Sequence, residues 1–291
     1  MDRQFRVAVI GATGLVGETM ITVLQERGFP VSQLHALASN RSLGRSVSFR
    51  GRSYPVQELA GFDFAHCDLA LFSAGAQVSR EYAPRAVAAG CIVIDNTSEF
   101  RYQDHVPLVV PEVNLQALDA LGKSGIVASP NACTIQMVVV LKPLYDAAGI
   151  ERIDVATYQS VSGAGREALE ELARQSIAAL SGKGALAAPV GSEQIAFNCV
   201  PHIDSFQDNG YTREEMNLVS ETRKILGDAA IRVHATAVQV PVFYGHSEAV
   251  HVQTHRPLSA AQARELLRKA PGVTLLDEPC AGGSPAVATE S

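Results

Sequence analysis

Hydrophobic positions in the first 130 residues come in short β-branched runs separated by segments of helical period. Phe5 to Ile10, His35 to Ser39, Leu69 to Phe72 and Cys91 to Ile94 read as strands, with helices over Leu15 to Arg27 and Val78 to Ala89. Such alternation makes βαβ units on a parallel sheet. After Asn131 the texture changes. A long apolar helix, Thr134 to Tyr145, leads into longer runs that alternate apolar with polar side chains, Ile153 to Val161 and Val233 to Phe243. Helical periods follow at Ala164 to Leu180, Arg213 to Ile225 and Ala260 to Arg268. The pattern predicts an α/β chain of two domains: a Rossmann-like parallel sheet over residues 1–130, and a second α+β domain with a mixed or antiparallel sheet over 131–291. Only Ser181 to Ala188 reads as a low-complexity loop.

Composition narrows the possibilities. A chain of 291 residues with 47% hydrophobic and 19% charged side chains can bury two cores, which excludes disorder as its main state. The balance of 24 basic against 30 acidic residues leaves a net charge of -6 and no basic footprint for nucleic acid. No apolar run approaches the roughly 18 to 20 residues that cross a bilayer. The N-terminal stretch MDRQFRVAVIGATG has no signal-like apolar segment, so a cytoplasmic address and small-molecule or protein partners are expected. The five cysteines, Cys67, Cys91, Cys133, Cys199 and Cys280, are scattered and never form a C-x-x-C pair. Each is expected to be a reduced thiol, with no metal site.

Gly11-Ala-Thr13-Gly14-Leu-Val-Gly17 follows a predicted strand and opens a predicted helix. In that context glycines let the backbone turn tightly beside a pyrophosphate whose charge faces the helix N-terminus. A site for NAD usually places an acidic residue at the end of the second strand. Here no acid occurs between Glu26 and Glu58, and the second strand leads into Ser39, Arg41, Ser42 and Arg45. Guanidinium and hydroxyl donors suit a 2'-phosphate, so NADP(H) is the expected cofactor. None of the seven tyrosines is followed four residues later by Lys, which removes the short-chain dehydrogenase pattern.

Seven segments together carry a resemblance. They are GATGLVG, SEFRYQDHVPLVVPEVN (Ser98 to Asn114), SPNACTIQM (Ser129 to Met137), YQSVSGAG (Tyr158 to Gly165), FNCVPHID (Phe197 to Asp204), DNGYTREEMNLVSETRKIL (Asp208 to Leu226) and VPVFYGHSEAV (Val240 to Val250). From Val7 onward the chain resembles the aspartate-semialdehyde dehydrogenase family, which reduces aspartyl phosphate to the aldehyde with NADPH through a cysteine thioester. N-acetyl-glutamyl-phosphate reductases share the chemistry, but the E-E-M-N and VPVFYGHSEAV segments sit closer to the aspartate branch. The resemblance implies roles for Asn131 beside the nucleophile, Gln159 in orienting the intermediate, Arg101 for phosphate, Glu214 for the substrate amine and His246 as acid and base. It also implies a homodimer through the second domain, where long alternating strands predict an apolar sheet face in need of cover.

The sequence departs from the family pattern at three further positions. The family has its nucleophilic Cys directly after the Asn; here Ala132 stands there and a thiol follows at Cys133. One step along a helix turns a side chain by about 100°. Asn217 stands where the family has a phosphate-binding Lys, and Gln239 where it has the Arg that clamps the substrate carboxylate. The family also continues for several dozen residues past the segment resembling Gly282 to Ser291, with a last strand and a helix that returns to the nucleotide domain, so either the sequence is incomplete or that element is missing. The expectation is therefore an NADP(H)-binding member of weak or absent family activity. Two alternatives stay open: an active acyl-phosphate reductase using Cys133 as a relocated nucleophile, and a non-enzymatic dimerisation partner.

Overall fold

The structure, a computed structural model, describes residues 3–181 and 194–276. The thiol expected at Cys280 and most of the loop expected over Ser181 to Ala188 lie outside these residues. The chain divides into two compact units, residues 1–130 and 131–291.

The first unit is built on seven strands: β1 (Phe5–Ile10), β2 (Val31–Ala38), β3 (Ser46–Phe49), β4 (Arg52–Glu58), β5 (Leu69–Phe72), β6 (Ile92–Asp95) and β7 (Ile126–Ala128). Their order is β3-β4-β2-β1-β5-β6-β7, with every pairing parallel except β3 with β4. Helices α1 (Leu15–Glu26) and α2 (Ala76–Ala88) and the short α3 (Pro111–Asn114) and α4 (Leu121–Ser124) complete the unit. Val7, Ala8, Val9 and Ile10 of β1 are wholly buried, as a central strand covered on both faces requires. Because β2 and β5 leave β1 in opposite directions across the sheet, a crevice opens at the C-terminal end of β1.

The hairpin of β3 and β4 was not among the elements read from the pattern. Its two-residue turn places Arg50 at φ 49° and Gly51 at φ 72°, the left-handed geometry that matches strand twist. Arg50 is an unusual occupant, held there by its backbone N–H donating to Gln25 Oε1 at 2.6 Å and its guanidinium donating to Phe29 O at 2.7 Å. Nothing in an Arg-Gly pair between Phe49 and Arg52 announces those distant contacts.

The second unit comprises α5 (Ala132–Ala148), β8 (Ile150–Gln159), α6 (Arg166–Leu180), α7 (Arg213–Leu226), β9 (Arg232–Gln239), β10 (Ser247–Thr254) and α8 (Ala260–Arg268). Its mixed sheet has the order β10-β8-β9, with β8 parallel to β9 and antiparallel to β10. Ile150, Ile153 and Val155 of β8 pack with Met137 and Leu141 of α5 and Leu218 of α7 in one apolar core. Two expectations are corrected here. The strand predicted to run to Phe243 stops at Gln239, since Pro241 has no N–H to continue a ladder and residues 241–245 are exposed. The outward sheet face is not apolar: Arg152 and Asp154 pair across it at 2.7 Å, and His234 and His251 lie in register on either side of Asp154.

Candidate active site

In the first unit the glycine-rich loop joins β1 to α1. Gly11 sits at φ +87°, and its N–H donates to Leu37 O at 2.8 Å, tying the loop to the end of β2. A Cβ placed on Gly17 would lie 2.1 Å from the Gly11 carbonyl oxygen, so the first turn of α1 rests backbone-to-backbone on the loop and only glycine fits. No side chain caps α1, whose first-turn N–H groups therefore face the loop mouth as an anion site would require. A cavity of about 430 Å³ opens there, its wall including Gly11, Thr13, Ser39, Ser42, Glu58 and Tyr82. The Thr13 and Ser42 hydroxyls are 3.1 Å apart. The glycine approach, the open helix start and this cavity together fit the pyrophosphate and a sugar of a dinucleotide.

Two residues of that region differ in place from the sequence reading. Arg41 is exposed on the 3-10 turn Asn40–Ser42 and does not belong to the cavity wall, while Arg45 reaches Glu18 at 3.9 Å. Glu58 does belong to the wall, because β4 pairs with β2 so that Glu58 lies beside Ala38. A search for an acid near the end of β2 along the chain passes over it; only strand register brings it in.

Arg101, the residue matched to phosphate, is buried in the first unit. Its Nε donates to Ser129 O at 2.9 Å and an Nη to Asn96 O at 3.3 Å, so part of its donor set ties loop backbone together.

In the second unit four of the predicted residues meet. Asn131 is the N-cap of α5, its Oδ1 accepting from the backbone N–H of Cys133 at 2.9 Å and of Thr134 at 3.4 Å. With its oxygen committed to the helix, its Nδ2 donates to both carboxylate oxygens of Glu214, at 2.9 and 3.0 Å. Gln159, the last residue of β8, donates to Glu214 Oε1 at 2.9 Å, and Asn217 to Oε2 at 3.4 Å. Glu214 is 8% exposed in the first turn of α7, where the helix dipole favours a negative charge, and the three side chains that donate to it are amides. Gln239 ends β9 in register with Gln159.

His246, just before β10, accepts from the Ser160 N–H at Nδ1, 3.0 Å away. A neutral ring held this way carries its proton on Nε2. Burial lowers the His246 pKa below its ordinary value, opposed by the nearby charge of Glu214.

Two anchors were missed by the sequence reading. Glu221 Oε2 accepts from the Asn131 N–H at 2.7 Å, and Thr212 with Glu215 forms a capping box that fixes the start of α7 and so the position of Glu214. The second had a signal, the Thr-x-x-Glu spacing. The first bridges 90 residues and had none.

Cys133 does not join this group. Ala132 is exposed at the first position of α5, whereas Cys133 has no exposed surface and lies in the core with Met137, Ile153 and Leu218. Burial, and then the charge of Glu248 beside it, push the thiol pKa far above the ordinary range. Cys67 and Cys91 are also free and buried, and Cys199 is free and exposed.

A family model described as semialdehyde dehydrogenase, NAD binding domain, matches residues 6–121, and one described as semialdehyde dehydrogenase, dimerisation domain, matches residues 141–291. An aspartate-semialdehyde dehydrogenase of Legionella pneumophila is 60% identical over 277 residues, which cover 95% of this chain and 80% of that protein. The crystal structure of aspartate semialdehyde dehydrogenase II from Vibrio cholerae matches with a TM-score of 0.92 at 54% identity, covering 94% of this chain and 82% of that one. A structure of aspartate semialdehyde dehydrogenase with NADP from Candida albicans matches with a TM-score of 0.68 at 27% identity, over 92% and 76% of the two chains.

Proposed function

The chain belongs to the aspartate-semialdehyde dehydrogenase family, and from that membership we propose that it is an NADP(H)-binding member with weak or no turnover of the family reaction. The observation that carries the reading is Ala132. A nucleophile at this position would be exposed at a helix start, where the dipole lowers a thiol pKa; a methyl group occupies it instead. The neighbouring thiol of Cys133 is buried, and its raised pKa keeps it protonated at neutral pH. With Asn217 and Gln239 in place of two cations, the loss of two charge-assisted contacts weakens the hold on a doubly anionic substrate by about 2 to 3 kcal/mol each.

Gly11, Thr13, Gly14, Gly17, Ser39 and Ser42 would hold the dinucleotide, with Arg41 reaching a 2'-phosphate from the adjoining turn. When bound, that cofactor supplies or accepts a hydride. The residues around Glu214 keep a different competence. Glu214, oriented by Asn131 and Gln159, can accept a substrate ammonium, and His246 can donate or take up a proton at Nε2. Neither supplies the covalent step. The matched dimerisation domain supports a homodimer as the assembled form.

The test is phosphate-dependent reduction of NADP+ with aspartate semialdehyde. Wild-type turnover near background, unchanged by Cys133→Ser, is expected. Ala132→Cys should restore measurable activity, and adding Gln239→Arg and Asn217→Lys should raise it by more than the single effects combined, since these groups act as a unit. A second reading, an active reductase that uses Cys133, draws on the 60% identity to a named enzyme and on the retained Asn131, Gln159, Glu214 and His246. Wild-type turnover that Cys133→Ser abolishes would establish it.

A further inference from the structure

Among the described residues lining the cavity at the C-terminal ends of β1, β2 and β4, Glu58 alone carries a charge. Its neighbours there are hydroxyls, an amide and apolar groups. Adjacent strands lie about 4.8 Å apart, and Glu58 is the register partner of Ala38, whose carbonyl accepts from the Leu59 N–H at 3.0 Å. That hydrogen bond pins the end of β4 against the end of β2. Strand register therefore places Glu58 in the cavity wall beside the β2 end, the region from which an acidic side chain accepts ribose hydroxyls and disfavours a phosphate on them. In the common arrangement that acid is the last residue of the second strand; here it comes from the strand beyond. The basic side chains of the region are set back. Arg41 is exposed outside the wall, and Arg45 faces Glu18.

We propose that Glu58 sets the coenzyme preference of this pocket, accepting hydrogen bonds from the ribose hydroxyls, so that the chain takes the unphosphorylated dinucleotide NAD(H) alongside NADP(H). The inference rests on the reading of this cavity as the coenzyme site. Thr13, Ser39 and Ser42 serve either form, since a hydroxyl can donate to a phosphate or accept from a sugar. The sign of the preference then follows from two opposed charges, Glu58 in the wall and Arg41 at the rim.

Binding of NADPH and NADH to the full chain, followed by their own fluorescence and by calorimetry, tests this in the wild type, Glu58→Gln and Glu58→Lys. The Glu58 side chain is exposed, with no hydrogen bond or ion pair of its own among the described residues, so thermal midpoints of the variants should match the wild type. The expected result is measurable NADH binding by the wild type, with the ratio of dissociation constants shifting toward NADPH by at least about fivefold in Glu58→Gln and further in Glu58→Lys. A smaller or opposite shift in both variants, or no NADH binding by a wild type that binds NADPH, overturns the proposal and leaves the coenzyme reading standing. A wild type that binds neither dinucleotide overturns both.

Discussion

The amide of Asn131 is used at both ends, its oxygen on the start of α5 and its nitrogen on Glu214. Asn131→Ala should therefore cost about 1 kcal/mol for the lost cap and a further 1 to 3 kcal/mol for a buried carboxylate left short of donors, read as a lower denaturant midpoint with unchanged slope. Glu248 offers a second test. Burial raises its pKa to about 7 from the ordinary 4.5, with Gln136 donating to it at 2.8 Å. Between those two values the folded chain holds a proton that the unfolded chain has released, so this group favours folding least above pH 7 and its penalty fades as pH falls toward 4.5. Glu248→Gln removes the titration. Its thermal midpoint should gain on the wild type as pH rises from 4.5 to 8, by the equivalent of roughly 1 to 3 kcal/mol; a constant difference would contradict a raised pKa. Comparing variant with wild type cancels His35 and His246, whose lowered pKa values work in the opposite direction. At this scale the departures at Ala132, Asn217 and Gln239 were legible because the surrounding motifs are contiguous. The links of Asn131 to Glu214 and of Ala38 to Glu58 were not, since each needs two distant segments to be in register.

At the scale of elements, strands and helices followed the hydrophobic period where it decided burial, as in β1 and α7. It failed where polar positions dominate. The β3–β4 hairpin turns on a positive-φ Arg50 held by groups 21 and 25 residues away, and β10 alternates Ser, Ala, His and Gln outward against partly buried Glu248, Val250 and Val252. The contact of α1 with the glycine loop is the most demanding junction. Gly17→Ala would drive a Cβ into the Gly11 carbonyl at 2.1 Å, and the backbone must part to admit it. A loss of about 1 to 3 kcal/mol is expected, with weaker dinucleotide binding because the helix start moves off the loop. Calorimetric unfolding and an NADPH titration on the same sample would check both. Thr212→Ala, which opens the capping box of α7, should cost about 1 kcal/mol and loosen Glu214 without touching it.

For the whole molecule, the dimerisation-domain match and the outward sheet face lead to one expectation. Light scattering should give twice the mass of one chain, by the prevalence of two-fold assemblies. If the β10-β8-β9 face forms that contact, its Arg152–Asp154 pair and flanking histidines make it a polar interface, so association should weaken with added salt. Insensitivity between about 0.05 and about 0.5 M salt, a range over which the Debye length shortens roughly threefold, would move the contact elsewhere. The sequence reading expected a homodimer on two grounds, the family resemblance and an apolar sheet face; the dimerisation-domain match supports the first, and the polar outward face removes the second.

The double use of Asn131 has a consequence for how such a site ages. A side chain that holds up a helix cannot be exchanged without loosening the fold, whereas the methyl of Ala132 is exposed at the helix start. Substitution can therefore strip reactivity from this pocket while its outline persists. Architecture is guarded by folding, and turnover only by use. A shape match as close as a TM-score of 0.92 therefore measures ancestry, while turnover is read by assaying the wild type beside Ala132→Cys.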